Sequence, residues 1–526
     1  MTSRHTFSVH QSLLFGVLLV LGGATLFSTS ASAESLVELT VRQRDQAGVV
    51  IEKAVSLDPA KSAVVVIDMW DRHWCKTYTE RVGNLVPRMN DTLAAARKLG
   101  IQVVFAPSDT TDFYKDSPQR KAMQAIPQHP APKTIGFQAP RPPGPTDHCE
   151  CGPDEPCGKG RAWSRQHPEL KIEEGDLIGD CNNGGELLRL CREREIDTLL
   201  YMGVASNMCV QYRSFGIRNM KNHGLRVIVV RDLVEAITAN GIGPDGKPDP
   251  NFTPAKGSSR VERHIEQRIA ATVESRQLIQ AAGMSPKDGR QHIVFVVAEQ
   301  EYGTGETLPT FAKKYLDKEY RYSFCFARGD TGAERNDVPG LEAVYDADLL
   351  VLSMRRRALP VTQMDHLERY IRSGKPLVGI RTSVVPFQVH EPVPAGHVGW
   401  SDFDREVLKC HYQGYDARSR ETGCDVAVAP DAQSHPAVRQ MASTKFHSAS
   451  WPYRMEPVAD AVTVLMAGRW SEDEPAYPVA WTATYNGGRV FFTTLGHPSD
   501  FKNEAFNELL LGGIRWTLDS SGRKDE

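Results

Sequence analysis

Short runs of β-branched and apolar residues alternate with helical segments along the chain, and this alternation limits the fold more than any other feature. The runs in the first half are SAVVVID (62–68), IQVVFAP (101–107), DLIG (176–179), TLLYMGV (198–204) and LRVIVVRD (225–232). Continuous apolar runs of this length are typical of strands buried on both faces of a parallel sheet. Helical periodicity from Val82 to Leu99, ended by Gly100, and the helical segments GELLRLCRERE and MCVQYRSFGIRNMKNHG separate them. The order predicts a parallel α/β sheet with helices on both faces.

The same pattern restarts after MSPKDGRQ (284–291). HIVFVVA, YRYSFCFA, ADLLVLSM and KPLVGIR predict strands, with helices over about 306–317 and 361–373. PVAWTATY and GRVFFTTLG flank the turn Asn486-Gly487-Gly488 and predict an antiparallel pair before a last helix. Because 526 residues exceed one ordinary core, we expect two Rossmann-like αβα three-layer domains with mainly parallel sheets, over 34–283 and 292–520. The first would include a loop or lid (238–259) and close with one helix, RVERHIEQRIAATVESRQLIQAAG.

Composition excludes some classes of partner. The net charge is −3 and 24% of residues are charged, as in a soluble globular protein, so no nucleic-acid partner is expected. Residues 1–33 combine Arg4, an apolar stretch and a small-residue site, which predicts a secretory signal cleaved near Ala33; an uncleaved anchor is the alternative. The mature chain would be periplasmic or secreted, without a stable membrane span. A small-molecule substrate is the expected partner, and a homo-oligomer is left open.

Three of the ten cysteines lie in one Gly/Pro-rich segment, HCECGPDEPC (148–157). In an exported protein such a segment favours a loop closed by disulfides. A metal site is the other interpretation, since this segment and the residue before it hold five side chains that could be ligands: Asp147, His148, Cys149, Cys151 and Cys157. The spacing is not a standard zinc pattern, so we predict no metal and no cofactor.

Two residues at strand ends suggest chemistry. Ligands of open parallel sheets bind at the carboxyl ends of the strands. Asp68 closes the first strand, and Cys209 follows the strand TLLYMGV at the start of a predicted helix, where N–H groups favour a thiolate. Cys209 could be a nucleophile, half of a disulfide or a buried thiol.

The order SAVVVIDMW, IQVVFAP and TLLYMGVASNMCVQYRSFGIRNMKNHG resembles the isochorismatase-like cysteine hydrolases over about residues 60–240. The resemblance implies an Asp–Lys–Cys triad, with Asp68 as general base and Cys209 as nucleophile. It places the oxyanion and substrate pocket at Val204, Ala205, Ser206 and Asn207, with the Cys209 peptide group, and a cis peptide near Val204–Ala205. The implied reaction is amide hydrolysis through a thioester; family members without the cysteine cleave vinyl ethers.

The chain departs from that family where the lysine should stand. Gly179, Asp180 and Cys181 occupy the position, and Lys171 comes too early. The metal-binding pattern of nicotinamidases is also missing after the second strand. Beyond the triad, Asp109, His73 and Trp74 are candidates for the pocket rim. The missing lysine keeps a second hypothesis open, a catalytically impaired fold that binds a small molecule or sugar.

The second half resembles the ThuA-like (trehalose-utilisation) domains over about residues 290–520. The resemblance rests on PVAWTATYNGGRVFFTTLGHPSDFKNEAFNELLLGGIRWTLD, EQEYGTGETLPTFAKKYL and ADLLVLSMRRRALP. In KPLVGIRTS the turn that carries the cysteine of class I glutamine amidotransferases holds Arg381 and Thr382, so that nucleophile is absent from the sequence. The resemblance implies a carbohydrate link. Clustered Arg and His side chains suit an anionic or polyhydroxylated ligand, with five candidate contacts: Glu301, Arg355, Arg381, His411 and His497.

Overall fold

The computed structural model describes residues 36–127, 149–152, 157–158, 160–249, 252–285, 290–457 and 461–519. The expected signal peptide (1–33) with its cleavage site near Ala33, the candidate ligands Asp147 and His148, and part of the linker (284–291) lie outside these residues. Within them, no helix has the length and apolar character needed to cross a membrane.

The first sheet has eight strands in the order β2-β1-β8-β7-β6-β3-β4-β5. They are β1 Val37–Arg44, β2 Val50–Leu57, β3 Ser62–Ile67, β4 Gln102–Ala106, β5 Leu177–Ile178, β6 Thr198–Val204, β7 Arg226–Glu235 and β8 Ala271–Val273. The strands from β8 to β5 pair in parallel, whereas β1 pairs antiparallel with β8 and with β2. All five predicted strands are present, and the β1–β2 hairpin and β8 are additions to them.

Seven helices pack with this sheet in the described part of the chain: α1 Lys76–Leu99, α2 Pro118–Gln124, α3 Gly184–Glu193, α4 Cys209–Tyr212, α5 Ile217–Asn222, α6 Pro254–Arg268 and α7 Ser275–Ala281. Gly100 ends α1 in the left-handed conformation, as its position predicts. The prediction of a single closing helix is wrong, because Ala271–Val273, which includes the β-branched Thr272 and Val273, pairs with β7 and divides the segment into α6 and α7. The loop predicted over 238–259 is too long, since Thr253 caps α6 and Pro254 begins it.

The second sheet has nine strands in the order β10-β9-β11-β13-β21-β20-β19-β16-β17. With two small two-stranded sheets, β12 with β14 and β15 with β18, the strands are β9 His292–Ala298, β10 Arg321–Phe326, β11 Leu349–Met354, β12 Leu359–Pro360, β13 Leu377–Ile380, β14 His397–Val398, β15 Cys410–Tyr412, β16 Cys424–Val428, β17 Lys445–Ser448, β18 Met455–Pro457, β19 Val462–Arg469, β20 Tyr477–Tyr485 and β21 Gly488–Thr493. The helices are α8 Thr304–Tyr315, α9 Val361–Arg372, α10 Phe403–Glu406, α11 Ser419–Thr422 and α12 Glu504–Leu518.

Pairing in the second sheet changes direction at β21. From β10 to β21 the strands are parallel, and from β21 to β17 they are antiparallel. The sheet is therefore mixed rather than mainly parallel, and β20 and β21 form the predicted antiparallel pair. Alternate residues of β9 enter different cores, Val294 on one face and Phe295 on the other, as a strand covered on both faces requires. The α/β fold class is confirmed.

Candidate active site

Asp68 lies directly after β3, buried, with a φ of +47° that turns the chain out of the sheet. Ser108 holds its carboxylate: the backbone N–H donates to Oδ1 at 2.5 Å and the hydroxyl donates to Oδ2 at 2.8 Å. Burial raises the pKa of Asp68 to about 6, because water no longer solvates the charge, and Arg213 and the Ser108 bonds oppose that rise. A carboxylate with this pKa is ionised at neutral pH and can still accept a proton, which suits a general base.

Cys209 is the first residue of α4, and its buried thiol lies beside the Asp68 carboxylate and the Arg213 guanidinium, the two side chains that act most on its pKa. Burial and the neighbouring carboxylate hold the pKa of Cys209 well above its ordinary value, and Arg213 acts in the opposite direction. The expectation that a helix start favours the thiolate is therefore wrong for the resting site. The physical reason is that α4 has only four residues, so it offers a weak dipole against full burial.

Arg213 places a positive charge beside Asp68, whereas the resemblance implies a lysine there. Its Nε lies 3.9 Å from Asp68 Oδ2, and the pKa of Arg213 is raised because the Cys209 and Asp68 side chains beside it favour its charged form. The continuous helix predicted after Cys209 is wrong: the chain leaves α4 at Arg213, whose ψ is 162°, and re-enters a helix after Gly216. A Cβ on Gly216 would lie 2.8 Å from the Arg213 carbonyl oxygen, so this break needs glycine. Lys171 is exposed and takes no part.

The loop after β5, where the resemblance implies a lysine, contacts Arg213 through Asn182. Asn182 accepts a hydrogen bond from Arg213 Nη1 at 2.8 Å and donates one to Asp109 at 3.2 Å. Asp109 Oδ2 lies 3.5 Å from Arg213 Nη2, so the predicted rim residue Asp109 does reach the site. Cys181 is buried beside Asp68 and Cys209, and its carbonyl accepts from the Phe215 N–H at 3.2 Å. These contacts hold the Arg213 guanidinium beside Asp68 and Asp109.

The nucleophile turn has no cis peptide in the described structure, so the expected cis bond at Val204–Ala205 is wrong. The chain turns instead through a φ of +116° at Gly203 and +57° at Ala205. Val204, the last residue of β6, is buried. A Cβ on Gly203 would lie 2.0 Å from the carbonyl oxygen of Ile67, so glycine lets β6 approach β3 at the turn. The close approach brings the residues after the two strand ends together.

Two of the expected oxyanion donors are already used. The Ala205 N–H donates to the Tyr78 hydroxyl at 2.8 Å, and the Ser206 N–H donates to the Glu235 carbonyl at 2.7 Å. The Asn207 side chain clamps the Ile237 backbone through both its oxygen and its nitrogen. Among the described residues, no acceptor takes the N–H groups of Asn207 and Cys209. Those two amides are the ones that a substrate oxygen can use without breaking a hydrogen bond.

His73 and Trp74 belong to an aromatic wall. His73 stacks on Trp163 with ring centroids 5.7 Å apart, Trp70 stacks on Trp163 at 4.5 Å, and Trp74 lies 4.8 Å from His73. Burial lowers the pKa of His73 to about 4, so its ring is neutral at physiological pH. No described contact joins His73 or Trp74 to Asp68 or Cys209. The connection runs through Tyr78, whose ring meets His73 edge-on at 5.0 Å.

In the second half, Arg381 follows β13 at a φ of +48°, in the sharp turn predicted from the sequence. Its buried guanidinium donates to the Thr494 carbonyl at 2.6 Å. Three rings face it, with centroids 4.4 to 5.0 Å away: Trp451, Tyr302 and Tyr453. The His497 ring lies 6.4 Å from the Tyr302 ring, so Arg381 and His497 lie against one wall of aromatic rings.

The other three candidates of the second half lie apart from that wall. Arg355 pairs with Glu301 at 3.1 Å, and Arg355 lines a cavity of about 390 Å³ with Arg356, His390, Tyr412 and Tyr415. His411 points elsewhere, to Asp404 and Arg405, because alternate residues of β15 face opposite sides. The five predicted residues thus form a cavity group and an aromatic group, with His411 in neither.

Comparison with known proteins finds a different family for each half of the chain. Residues 62–241 match the family model of the isochorismatase domain, and residues 333–517 match that of ThuA, trehalose utilisation. A search of curated proteins returns no match. Similar solved structures include a ThuA-like protein from Parabacteroides merdae (15% identity, 44% of this chain and 90% of that chain, TM-score 0.33). Others are an isochorismatase family protein from Burkholderia thailandensis (16%, 43% and 96%, 0.27) and N-carbamoylsarcosine amidase from Thermoplasma acidophilum (19%, 41% and 96%, 0.24).

Both resemblances inferred from the sequence are confirmed, over nearly the ranges expected for the first half and over a shorter range for the second. Residues 62–241 of this chain form an isochorismatase domain, and residues 333–517 form a ThuA domain.

Proposed function

We propose that this protein is a cysteine hydrolase that cleaves an amide-like C–N bond of a small molecule through a thioester on Cys209. The observation that carries the proposal is the convergence of three side chains: Arg213 Nε lies 3.9 Å from Asp68 Oδ2, and both groups interact electrostatically with the buried Cys209 thiol. A nucleophile, a base beside it and a cation beside both are the parts that covalent hydrolysis requires. Arg213 takes the role that the resemblance gives to lysine.

The reaction follows from the protonation states. Cys209 is a thiol at rest, and Asp68 accepts its proton as the sulfur attacks the carbonyl carbon of the substrate. The oxyanion formed there would accept from the free N–H groups of Asn207 and Cys209. The C–N bond then breaks, and the amine leaves with the proton held by Asp68. Water, deprotonated by Asp68, attacks the thioester, releases the acid and restores the thiol.

Arg213 also bears on the impaired-fold hypothesis, which rested on the missing lysine. A guanidinium 3.9 Å from Asp68 Oδ2 provides the charge whose absence favoured that hypothesis. Arginine stays charged at every physiological pH and is held by Asn182 and Asp109, so it can lower the cost of forming the thiolate. This contact favours catalysis over simple binding.

The proposal is tested by trapping the thioester. The full chain is mixed with a panel of small primary amides and N-carbamoyl compounds, quenched with acid and mapped by peptide mass spectrometry. Acylation of Cys209 in wild type, trapped by the acid quench before water attack is complete, and no acylation in Cys209→Ala are expected. Cys191→Ala, a buried cysteine in α3, is the matched control. Turnover of an amide by Cys209→Ala at the wild-type rate would refute the proposal.

For the ThuA domain we propose binding of an anionic or polyhydroxylated ligand, in line with the carbohydrate link of that family. Arginines beside aromatic rings at the cavity of about 390 Å³ support it. Isothermal titration with neutral disaccharides and sugar acids, in wild type and Arg355→Met, tests it; equal binding by both proteins would refute a role for Arg355.

We also propose export with cleavage near Ala33. N-terminal sequencing of the mature protein tests this proposal: a mature chain beginning at Glu34 is expected, and one that keeps the first 33 residues would refute it.

A further inference from the structure

Four cysteines from two distant parts of the sequence meet beside the start of α1. Cys75 Sγ lies 3.6 Å from Cys149 Sγ and 3.9 Å from Cys151 Sγ, and these three sulfurs all lie within 4.8 Å of one another. Cys157 Sγ lies 3.6 Å from Cys151 Sγ. Cys75 comes from the loop before α1, whereas the other three belong to the segment 149–157.

All ten cysteines are free in the structure, so the disulfides expected from the sequence are not formed. A disulfide would need sulfurs about 2.05 Å apart, and a pair would not bring a third and fourth sulfur to similar distances. Zn–S bonds of about 2.3 Å in a tetrahedral tetrathiolate place neighbouring sulfurs about 3.8 Å apart. Three of the six sulfur pairs, at 3.6 to 3.9 Å, match that edge. Cys157 lies outside the group of three sulfurs that are all within 4.8 Å of one another, so it would move closer to them on binding the ion.

A second observation points to the same ligand: three of the four sulfurs accept a hydrogen bond. The first turn of α1 supplies donors for two of them, the Thr77 hydroxyl for Cys151 at 3.2 Å and the Tyr78 N–H for Cys75 at 3.5 Å. The Cys157 N–H donates to Cys149 Sγ at 3.3 Å. Donors aimed at sulfur stabilise thiolates that carry negative charge on a metal, and they orient the ligands.

We propose that Cys75, Cys149, Cys151 and Cys157 bind one structural Zn²⁺ ion. Four protein thiolates leave no open coordination position, so the ion would hold the chain together rather than take part in hydrolysis. The positive end of the 24-residue helix α1 faces the doubly negative tetrathiolate centre. A borderline-soft d¹⁰ cation suits four thiolates, whereas Mg²⁺ and Ca²⁺ require oxygen ligands.

The zinc would fix Glu150, which stands between two of the ligands. Glu150 is fully buried, accepts from Arg81 Nη1 at 2.8 Å and accepts from the Thr238 N–H at 3.0 Å. Thr238 follows Ile237, the residue that the Asn207 side chain clamps. The ion therefore acts on the nucleophile turn through Glu150 and the segment after β7. Loss of the metal should loosen that turn.

The test measures metal and thiols on the purified full chain, independently of activity. We expect one zinc per chain by elemental mass spectrometry. Peptide mapping should show the four cysteines protected from alkylation until a chelator removes the ion. Exchange with Co²⁺ should give the visible bands of a tetrahedral tetrathiolate. A metal-free chain, with the four thiols free or paired in disulfides, would overturn the proposal, and so would bound iron.

Variants locate the site. Cys75→Ser, which removes a buried ligand, should abolish zinc binding. Because that variant could unfold, half-buried Cys157→Ser is the second: the folded protein should release zinc to a chelator at least about tenfold faster. Cys191→Ala is the control and should keep full zinc content. Wild-type zinc content and release in folded Cys157→Ser would exclude Cys157 as a ligand and overturn the four-cysteine site.

Discussion

Replacing Arg213 by methionine tests the catalytic arrangement without knowledge of the substrate. Arg213 Nε lies 3.9 Å from Asp68 Oδ2, and the Arg213 side chain is 21% exposed. Two unit charges at that distance interact by about 4 kcal/mol at an effective dielectric constant of 20. At 1.36 kcal/mol per pKa unit this gives a ceiling of about three units. Screening by solvent reduces it, so the pKa of Asp68 should rise from about 6 by about one to two units.

The assay is alkylation of Cys209 by iodoacetamide, followed by peptide mass spectrometry at a series of pH values. In wild type the rate should fall as the pH drops through about 6, because protonated Asp68 no longer accepts the thiol proton. In Arg213→Met this acid limb should move to about 7 to 8, and Arg213→Lys should restore part of the shift. Arg218→Met is the matched control, since Arg218 packs over Tyr212 rather than Asp68. An acid limb that stays near pH 6 in Arg213→Met would refute the role given to Arg213.

Three further predictions concern the turn and its base. Asp68→Asn should stop alkylation of Cys209 yet stabilise the fold. The pKa of Asp68 is raised from 3.8 to about 6 in the folded state, so its charge lowers the free energy of unfolding as pH rises through that range, by up to about 3 kcal/mol at neutral pH. A variant less stable than wild type in urea unfolding would contradict this. Tyr78→Phe should cost about 1 to 3 kcal/mol and slow alkylation, because the buried Ala205 N–H loses its acceptor; unchanged denaturation and rate would count against it. Gly203→Ala should prevent normal folding, since its Cβ would lie 2.0 Å from the Ile67 carbonyl oxygen. Gly305→Ala, in open space on α8, is the control and should leave the melting temperature unchanged or higher. Equal melting temperatures for the Gly203→Ala and Gly305→Ala variants would rule out the clash.

The sequence identified the fold class and the two strand-end residues because both follow from local patterns. Apolar runs predict buried strands, and the residues after them, Asp68 and Cys209, meet at one edge whatever the rest of the chain does. The position of Arg213 depends instead on a break inside a segment with helical periodicity. The break comes from a close approach at Gly216, which spacing does not reveal. A lone arginine four residues after Cys209 was the available signal.

The cysteine cluster was out of reach for a different reason. Cys149, Cys151 and Cys157 were recognised as candidate ligands, but their spacing matched no zinc pattern because Cys75, the fourth thiol, stands 74 residues before Cys149. Similarly, β8 is a strand because Ala271–Val273 pair with β7 on one side and with β1 on the other. Features that depend on pairing between distant segments leave little trace in either segment alone.

The buried charges around Arg81 connect the nucleophile turn with the second half of the chain. Arg81 pairs with Glu150, with Glu235 and, at 3.0 Å, with Asp365 on α9. Buried ion pairs add little stability by themselves, but a buried charge that loses its partner costs about 3 to 5 kcal/mol. The cluster therefore favours the packing in which these buried charges keep their partners.

Glu235 links the charge cluster around Arg81 to the nucleophile turn. Its carbonyl accepts from the Ser206 N–H and from the Tyr78 hydroxyl, so the nucleophile turn is held by the same residue whose carboxylate pairs with Arg81 and Arg369. Asp365 and Arg369 both belong to α9, which lies outside the isochorismatase domain and inside the ThuA domain. Asp365 and Arg369 add one negative and one positive charge to the buried cluster that includes Arg81 and Glu235, so residues of both matched regions take part in the network that holds the nucleophile turn.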